Sequence, residues 1–221
     1  MTAAQPLRID FVSDVACPWC VIGLGNLRRA IEASGVHAEI HLQPFELNPE
    51  MPPEGENASE HVAKKYGSTR ERSDGVRQVL SEHGAAVGFA FNYNPESRIW
   101  NTFDAHRLLH WAGHEGASKQ LALKEALFKL NFTDQRSTSD HAALLDAVRE
   151  ARLDPILAAA ILSSDEFSAD VRGAEQMWMR NGINAVPSVI FNQRWVLQGA
   201  QPAEVFEQAI RDIASGAAKE A

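Results

Sequence analysis

The chain of 221 residues contains two cysteines, Cys17 and Cys20, and two residues separate them. At the start of a helix, this spacing brings the two sulfur atoms close enough to form a disulfide bond. The free N–H groups and the positive dipole end of a helix stabilise a thiolate on the first cysteine. We therefore predict that Cys17 is the nucleophile of a thiol–disulfide exchange. Cys20 is then the resolving thiol, which attacks the mixed disulfide formed at Cys17.

Two alternatives compete with redox chemistry at this pair. Cys-x-x-Cys is half of a zinc site, but the chain has no second pair, so two of its eight histidines would have to complete it. No pair of downstream histidines stands out by its spacing. A structural disulfide is disfavoured in a reducing compartment. The sequence therefore favours a redox dithiol over a metal site or a structural bridge, and we expect no metal ion.

The composition argues against several other classes of protein. The chain has 21 Lys and Arg residues against 29 Asp and Glu residues, and its formal net charge of −8 repels nucleic-acid backbones. No charged segment followed by an apolar run marks a signal peptide, and no stretch approaches the roughly 18 apolar residues that span a bilayer. We expect a cytoplasmic protein that binds neither nucleic acid nor membranes.

The cysteine pair lies between two predicted strands. Residues 7–12 alternate apolar and polar side chains, as do residues 38–42. Between them, Pro18 suits a first helical turn and an apolar helical face continues to Gly35. This strand–helix–strand order at the start of the chain predicts an α/β core.

Beyond a break rich in proline and acidic residues at 48–55, helical periodicity continues for more than a hundred residues. Strand patterns return at 186–191 and 195–197, followed by a last helix. The sequence thus predicts an α/β protein with a large all-helical domain inserted in its middle. We place the discontinuous α/β domain at 1–56 and 166–221, and the helical insertion at 57–165.

The order of these motifs resembles the DsbA family of thioredoxin-fold oxidoreductases. The resemblance rests on a first strand followed by Cys17-Pro-Trp-Cys20, a long helical insertion, and Ala185-Val-Pro-Ser-Val-Ile-Phe191 near the end of the chain. Three further segments resemble the FrnE-like branch of that family: Phe45-Glu-Leu-Asn-Pro49, Asn101-Thr-Phe-Asp-Ala-His106 and Gly199-Ala-Gln-Pro202. The resemblance implies a thioredoxin-like fold and a disulfide oxidoreductase activity.

The resemblance also implies roles for residues outside the dithiol. It implies that the Val186–Pro187 peptide bond is cis and faces the cysteines, with the Val186 backbone free to pair with an extended substrate segment. Relatives carry a buried acid near the dithiol that exchanges a proton with the second cysteine. We assign this role to Asp10, and Asp14 competes for it. An ordinary solvated or capping carboxylate explains Asp10 equally well.

Trp19, between the cysteines, adds an apolar surface for substrate binding together with Pro18 and Val186. Because the Trp19 side chain does not titrate and cannot become positively charged, unlike a histidine at that place, the disulfide should be less oxidising than in relatives with Cys-Pro-His-Cys. This favours a reductase or isomerase over a strong oxidant. Asn101 and His106 match family motifs, but a helix cap and a packed histidine explain them as well.

Three functions fit these observations. The first is exchange with thiol- or disulfide-containing proteins and a thiol redox partner, without a cofactor other than the Cys17–Cys20 disulfide and with glutathione as a candidate co-substrate. The second is a glutathione-dependent isomerase or kappa-class transferase, but those enzymes use a serine where Cys17 stands and need no resolving thiol. The third is a chaperone-like binding module, whose activity would survive loss of both cysteines.

Overall fold

The computed structural model of the chain describes residues 5–218. Residues 1–4 and 219–221 lie outside the described part. Within 5–218, no helix is both long and apolar enough to cross a lipid bilayer.

Strands and helices follow one another largely as the sequence predicts. The elements are β1 (Leu7–Ser13), α1 (Pro18–Ser34), β2 (Ala38–Pro44), β3 (Glu56–Asn57), α2 (Ala58–Tyr66), α3 (Arg70–Ala86), β4 (Arg98–Ile99), α4 (Phe103–His114), α5 (Ala117–Phe128), a π-helical turn (Lys129–Thr133), α6 (His141–Glu150), α7 (Pro155–Leu162), α8 (Ser168–Arg180), β5 (Ser188–Phe191), β6 (Trp195–Gln198) and α9 (Ala203–Ala214).

Four strands form the central sheet in the order β2-β1-β5-β6. β1 runs parallel to β2, to which α1 connects it, whereas β5 and β6 are antiparallel to their neighbours. The sheet is therefore built from the two ends of the chain, and the helices from α2 to α8 lie between β2 and β5 in sequence. This arrangement confirms the predicted α/β fold with a helical insertion, while the exact domain boundaries stay a prediction.

The insertion also holds a feature that the sequence analysis missed. β3 and β4 pair as a two-residue antiparallel ladder, in which Glu56 lies opposite Ile99 and Asn57 opposite Arg98. Strands of two residues are too short to show an alternating pattern. This pair ties the start of α2 to the segment that precedes α4.

The two faces of the sheet are covered by different helices. Ile9 and Phe11 of β1 are buried in the main apolar cluster, which also includes residues of α1 and α9. Val12 points to the opposite face, where it packs in a second cluster with Trp178 of α8 and Ile190 of β5. Because side chains alternate along a strand, Asp10 must share this second face with Val12.

The ends of α1 explain how the helix is placed against β1. Pro18 occupies the first helical turn, where its missing N–H group is not needed. Gly35 ends the helix in the left-handed conformation, with φ 67°, which is easily adopted by a residue without a side chain. The sequence predicted both ends of this helix.

Candidate active site

The two cysteines lie at the start of α1, and both are reduced in this structure. Cys17 is the N-cap residue, with an extended backbone (φ −96°, ψ 111°), and its side chain accepts no capping hydrogen bond. The Cys20 N–H donates a 3.1 Å hydrogen bond to the Cys17 carbonyl oxygen. Cys17 retains 4% of its surface exposed, whereas Cys20 has none. Only the first thiol is therefore placed to meet a substrate.

Hydrogen bonding and burial distinguish the two thiols. Burial, together with a hydrogen bond from the Cys20 thiol to the Cys17 sulfur and the charge on Cys17, raises the pKa of Cys20 well above its ordinary value. The Cys17 sulfur also lies 3.7 Å from the carbonyl oxygen of Val186. The raised pKa suits Cys20 as a thiol that stays protonated until it reacts, whereas Cys17 is the sulfur that borders the Val186 backbone.

The Val186–Pro187 segment lies against the dithiol, as the resemblance implies, and its peptide bond is cis. The Pro187 ring packs on α1 at Gly23, where an added Cβ atom would come within 2.9 Å of the proline Cγ. The Pro187 carbonyl oxygen accepts a 2.8 Å hydrogen bond from the Gly199 N–H. The side chain of Asn26 then holds the same loop by donating to the Gln201 carbonyl oxygen at 2.9 Å.

The assignment of Asp10 as a proton-transfer acid needs correction. Its carboxylate is 1% exposed and accepts hydrogen bonds from Arg8, at 2.9 and 2.7 Å, and from the Gln43 amide at 2.7 Å. It also lies on the face of the sheet opposite the one that α1 covers. Asp10 therefore forms an ion pair in the sheet and does not approach the cysteines.

Asp14, the competing acid, holds the loop that leads into the dithiol. Its carboxylate is 1% exposed and accepts hydrogen bonds from the N–H groups of Leu47 (2.7 Å) and Ala16 (3.1 Å) and from the Thr102 hydroxyl (2.9 Å). The His106 ring lies 3.4 Å away. Burial raises the pKa of Asp14, but the hydrogen bond and charge of His106 and the two N–H groups outweigh it and leave the pKa below its ordinary value.

His106 and Asn101 therefore have structural partners near the site. His106 is 1% exposed and pairs with Asp14, as expected of a packed histidine. The side-chain oxygen of Asn101 accepts the N–H of Phe103 at 2.9 Å, which is the capping role that the sequence suggested. Its amide group donates to the Met51 carbonyl oxygen, also at 2.9 Å.

We expect Asp14→Asn to destabilise the fold by about 1–3 kcal/mol, because an amide nitrogen would face one of the N–H groups that the carboxylate accepts. Because the pKa of Asp14 is lower in the folded than in the unfolded protein, its ionised carboxylate contributes fully to stability above the unfolded pKa of about 4. This contribution is lost as the pH falls through the folded pKa. Urea unfolding at pH 7 and pH 3 should show that the free energy of unfolding falls less on acidification in Asp14→Asn than in the wild type. Asp74→Asn, at an exposed carboxylate, is the control; an equally steep acid dependence in both variants would contradict the assignment.

Beside Cys17 the structure encloses a cavity of about 540 Å³ between the start of α1 and the helices α2 and α3. Cys17, Trp19 and Val186 form one side of it, and Tyr93 and Asn131 line another part. Trp19 is 37% exposed, and its ring centroid lies 6.0 Å from that of His83 on α3. A small molecule with an apolar body can therefore reach the Cys17 sulfur from this cavity.

Tyr93 and Asn131 were missed by the sequence analysis. The Tyr93 hydroxyl is buried without a hydrogen-bond partner among the described residues, and burial raises its pKa, so it is a donor at neutral pH. Asn131 lies in the π-helical turn, and its amide donates a 3.2 Å hydrogen bond to the Val15 carbonyl oxygen. Neither residue belongs to a local motif, because the fold brings both to Cys17 from more than 70 residues away.

Potential metal ligands do not gather elsewhere in the described range. Within residues 5–218, the structure holds no group of three or more His, Cys, Asp or Glu side chains that could bind a metal ion.

Comparison with known proteins shows the fold and the family of the chain. The DSBA-like thioredoxin domain family matches residues 8–211. The crystal structure of a probable DsbA oxidoreductase from Streptomyces coelicolor is 31% identical, with a TM-score of 0.88 over 97% of this chain and 92% of that chain. None of the curated proteins matches the chain.

Two more distant structures share the fold alone. The cytosolic disulfide reductase DsbM from Pseudomonas aeruginosa is 15% identical, with a TM-score of 0.59 over 96% of this chain and 98% of that chain. A 2-hydroxychromene-2-carboxylate isomerase is 12% identical, with a TM-score of 0.68 over 96% of this chain and 100% of that chain.

The family match and the Streptomyces structure both cover more than nine-tenths of the chain, including the dithiol and the Val186–Pro187 segment. They confirm the thioredoxin-like fold that the order of the motifs predicted, whereas the FrnE-like branch stays a prediction. The chain belongs to the DsbA-like thioredoxin family, whose members generally act on thiols and disulfides.

Proposed function

We propose that the protein is a thiol–disulfide oxidoreductase of the reductase or isomerase type, with Cys17 as nucleophile and Cys20 as resolving thiol. The observation that carries the proposal is the arrangement of a reduced dithiol at the start of α1. Cys17 opens onto a cavity, and Cys20, in the first turn of α1, is fully buried.

The proposed reaction proceeds in two exchanges. The Cys17 thiolate attacks one sulfur of a substrate disulfide, forming a mixed disulfide and releasing the other substrate sulfur as a thiolate, which takes a proton from water. Cys20 then loses its proton and attacks the Cys17 sulfur. The second substrate sulfur leaves as a thiol, and the substrate is reduced by two electrons while Cys17 and Cys20 become a disulfide. Two thiol groups of the partner return the pair to the dithiol and are themselves joined in a disulfide.

Val186 and Pro187 hold the substrate in this proposal. The Val186 carbonyl oxygen already faces the Cys17 sulfur at 3.7 Å, so a substrate segment that pairs with this backbone places its disulfide beside the nucleophile. Trp19 and Pro18 add apolar contact at the same edge. Pro187 has no N–H group to compete for these contacts.

We further propose that glutathione is the thiol partner and enters the cavity beside Cys17. The cavity volume suits a small molecule, and the Tyr93 hydroxyl and Arg77 on its wall can donate to carboxylates. The distantly related DsbM has been crystallised with glutathione. A glutathione-dependent enzyme requires a reducing compartment, and we place the protein in the cytoplasm as part of the same proposal.

The test is reduction of insulin by the purified chain with glutathione as electron donor. We expect the catalysed rate to saturate with glutathione and to vanish after both thiols are alkylated. Reduction that persists after alkylation, or that proceeds with dithiothreitol but shows no saturation with glutathione, would overturn the corresponding part of the proposal. Suppression of aggregation by a protein lacking both cysteines, without any exchange activity in the wild type, would favour a binding module.

Trp19 should set the direction of exchange. A Trp19→His change places a proton-bearing group beside Cys17, stabilises its thiolate and hence the reduced pair, and makes the disulfide more oxidising. We expect a shift of roughly 30 mV or more, about tenfold in the equilibrium constant, in a glutathione redox titration. Trp19→Phe keeps an uncharged ring and is the control; equal potentials in the two variants would show that position 19 does not tune the pair.

A further inference from the structure

A second cavity adjoins the one beside Cys17. It has a volume of about 690 Å³ and lies between α2, α3 and the segment that precedes β4. A ligand whose sulfur reaches Cys17 can extend from the first cavity into the second, because the two meet at a shared set of side chains. Five side chains line both cavities: Ser59, Ser68, Ser73, Arg77 and Tyr93.

The Tyr93 hydroxyl is a buried donor at this junction. It has no hydrogen-bond partner among the described residues, although a buried polar group normally has one. The ring that carries it is held from two sides. It stacks on the Phe91 ring with the centroids 5.5 Å apart, and the guanidinium carbon of Arg77 lies 5.7 Å from its centroid. A ligand atom that accepts a hydrogen bond at the junction would therefore satisfy this hydroxyl.

The Arg77 guanidinium lies at the same junction with donors to spare. One of its terminal nitrogens donates a 2.8 Å hydrogen bond to the Ser59 hydroxyl, and the other lies 3.4 Å from the Asp74 carboxylate. Asp74 is 57% exposed, so this long contact is a weak ion pair. A guanidinium has five N–H groups, and most of them remain available to a ligand. Arg77 and Tyr93 can therefore bind the two oxygens of one carboxylate.

The charge along the Cys17 cavity has the opposite sign to that of the chain. The formal net charge is −8, yet among the described residues no aspartate or glutamate lines this cavity, whereas Arg72, Arg77 and Arg98 do. The Arg98 guanidinium donates to the carbonyl oxygens of Glu54 and Gly55, which carry no net charge and leave it uncompensated. A cleft lined by charge of one sign attracts ligands of the opposite sign.

The second cavity is polar and of mixed charge. Arg70 and Arg77 line it together with Glu60 and Asp74, and hydroxyl and amide groups from α2 and α3 complete its lining. Such a lining suits the polar end of a ligand that has both hydrogen-bond donors and acceptors. The carboxylate of an anionic ligand therefore fits best at the junction, where Tyr93 donates, and not deeper in the second cavity.

We propose that the two cavities form one binding site for a small disulfide that carries a carboxylate, and that Arg77 and Tyr93 bind this carboxylate where the cavities meet. The inference rests on the proposed exchange function and gives that function a further substrate class, the low-molecular-weight anionic disulfides. The disulfide lies at Cys17, and its carboxylate-bearing half extends toward the second cavity. Because the carboxylate site lies inside the cavity, a small molecule reaches it and a folded protein does not.

The reaction is the same two-electron exchange. The Cys17 thiolate bonds to one sulfur of the small disulfide, and the other half leaves as a thiolate that takes a proton from water. Cys20 then loses its proton and bonds to the Cys17 sulfur, and the first half leaves as a thiol after taking up a proton. One small disulfide is reduced while Cys17 and Cys20 are oxidised. Arg77 and Tyr93 keep their protons, because they only bind the carboxylate.

The test compares two small disulfides of nearly the same shape: dithiodipropionate, which has two carboxylates, and dithiodipropionamide, which is uncharged. Each is mixed with the reduced protein, and oxidation of the dithiol is followed by acid quenching and intact mass. The rate of each disulfide with dithiothreitol corrects for its intrinsic reactivity. We expect the dicarboxylate to react about tenfold faster than the diamide at low ionic strength, and this advantage to shrink as salt is added.

Variants then assign the preference to the junction. Arg77→Gln should slow the dicarboxylate about tenfold and the diamide less than twofold, and Tyr93→Phe should cause a smaller loss with the same selectivity. Arg180→Gln removes the same charge at an exposed position that lines neither cavity, and both rates should stay unchanged. If Arg77→Gln does not fold, Arg77→Lys keeps the charge but loses the planar fork, and it should still slow the dicarboxylate selectively.

The outcomes separate this inference from the exchange function. Equal losses for the two disulfides in the Arg77 variants would indicate a packing defect and overturn the inference, as would a wild-type protein that reacts equally with both. If the wild-type protein reduces neither small disulfide nor insulin, the exchange function fails. Calorimetry then decides with suberate, the dicarboxylate that has methylene groups in place of the two sulfurs. Binding that weakens about tenfold in Arg77→Gln supports the carboxylate site, and equal or absent binding overturns it.

Discussion

Cys17→Ser should reduce the rate of disulfide exchange to that of the uncatalysed reaction. A serine hydroxyl is not ionised at neutral pH and cannot replace the thiolate that attacks the substrate. Cys20 cannot take over, because it is fully buried and its pKa is raised well above the ordinary value. Insulin reduction is the measurement. Thermal unfolding should be little changed, since serine has nearly the volume of cysteine.

Cys20→Ser should separate the two halves of the reaction. Cys17 can still attack, but the mixed disulfide has no internal thiol to resolve it, so covalent complexes accumulate. Dithiothreitol should reduce these complexes and release the partner. Non-reducing gels and intact mass would identify the trapped partner. Trapping by Cys17→Ser in place of Cys20→Ser would reverse the assignment, and full activity in either variant would rule out a dithiol mechanism.

The sequence predicted the strands and the helix that carry the dithiol because the signals for these elements lie within the elements themselves. β1, α1 and β2 carry their own alternation, first-turn proline and terminal glycine, so their bounds follow from neighbouring residues. The pairing of Cys17 with the Val186–Pro187 segment is not local, and it was predicted from the resemblance to a family. The structure agrees with that prediction by placing Val186 O beside the Cys17 sulfur.

Residues whose role depends on burial were harder to predict. Asp10 was assigned to the chemistry because relatives carry a buried acid near the dithiol, but alternation along β1 turns it to the other face, where Arg8 and Gln43 bind it. Lys124 follows Leu123 in α5, and a lysine in a helix is usually exposed to solvent. Only the packing of α5 against β2 and the active-site loop shows that this lysine is buried.

Gly23→Ala should slow the exchange by about 10- to 100-fold while the protein stays folded. The new methyl group would lie 2.9 Å from Pro187 Cγ and 3.5 Å from the Ala200 Cα atom, so the Pro187 segment has to move away from α1. The Val186 carbonyl oxygen moves with it, away from the Cys17 sulfur. A misplacement of the substrate-holding backbone by about 1 Å is enough for a loss of this size.

Gly25→Ala on the same helix distinguishes this effect from general strain. Its new methyl group would lie 2.7 Å from Val87 Cβ, an equally close contact, but on the side of α1 that faces the insertion. Each variant gains about 1 kcal/mol of helix propensity and loses about 1–3 kcal/mol to overpacking, so their melting temperatures should change similarly. Insulin reduction should then fall in Gly23→Ala alone. Equal losses of activity would mean that any disturbance of α1 impairs the dithiol, and a fully active Gly23→Ala protein would show that the Val186–Pro187 segment does not position the substrate.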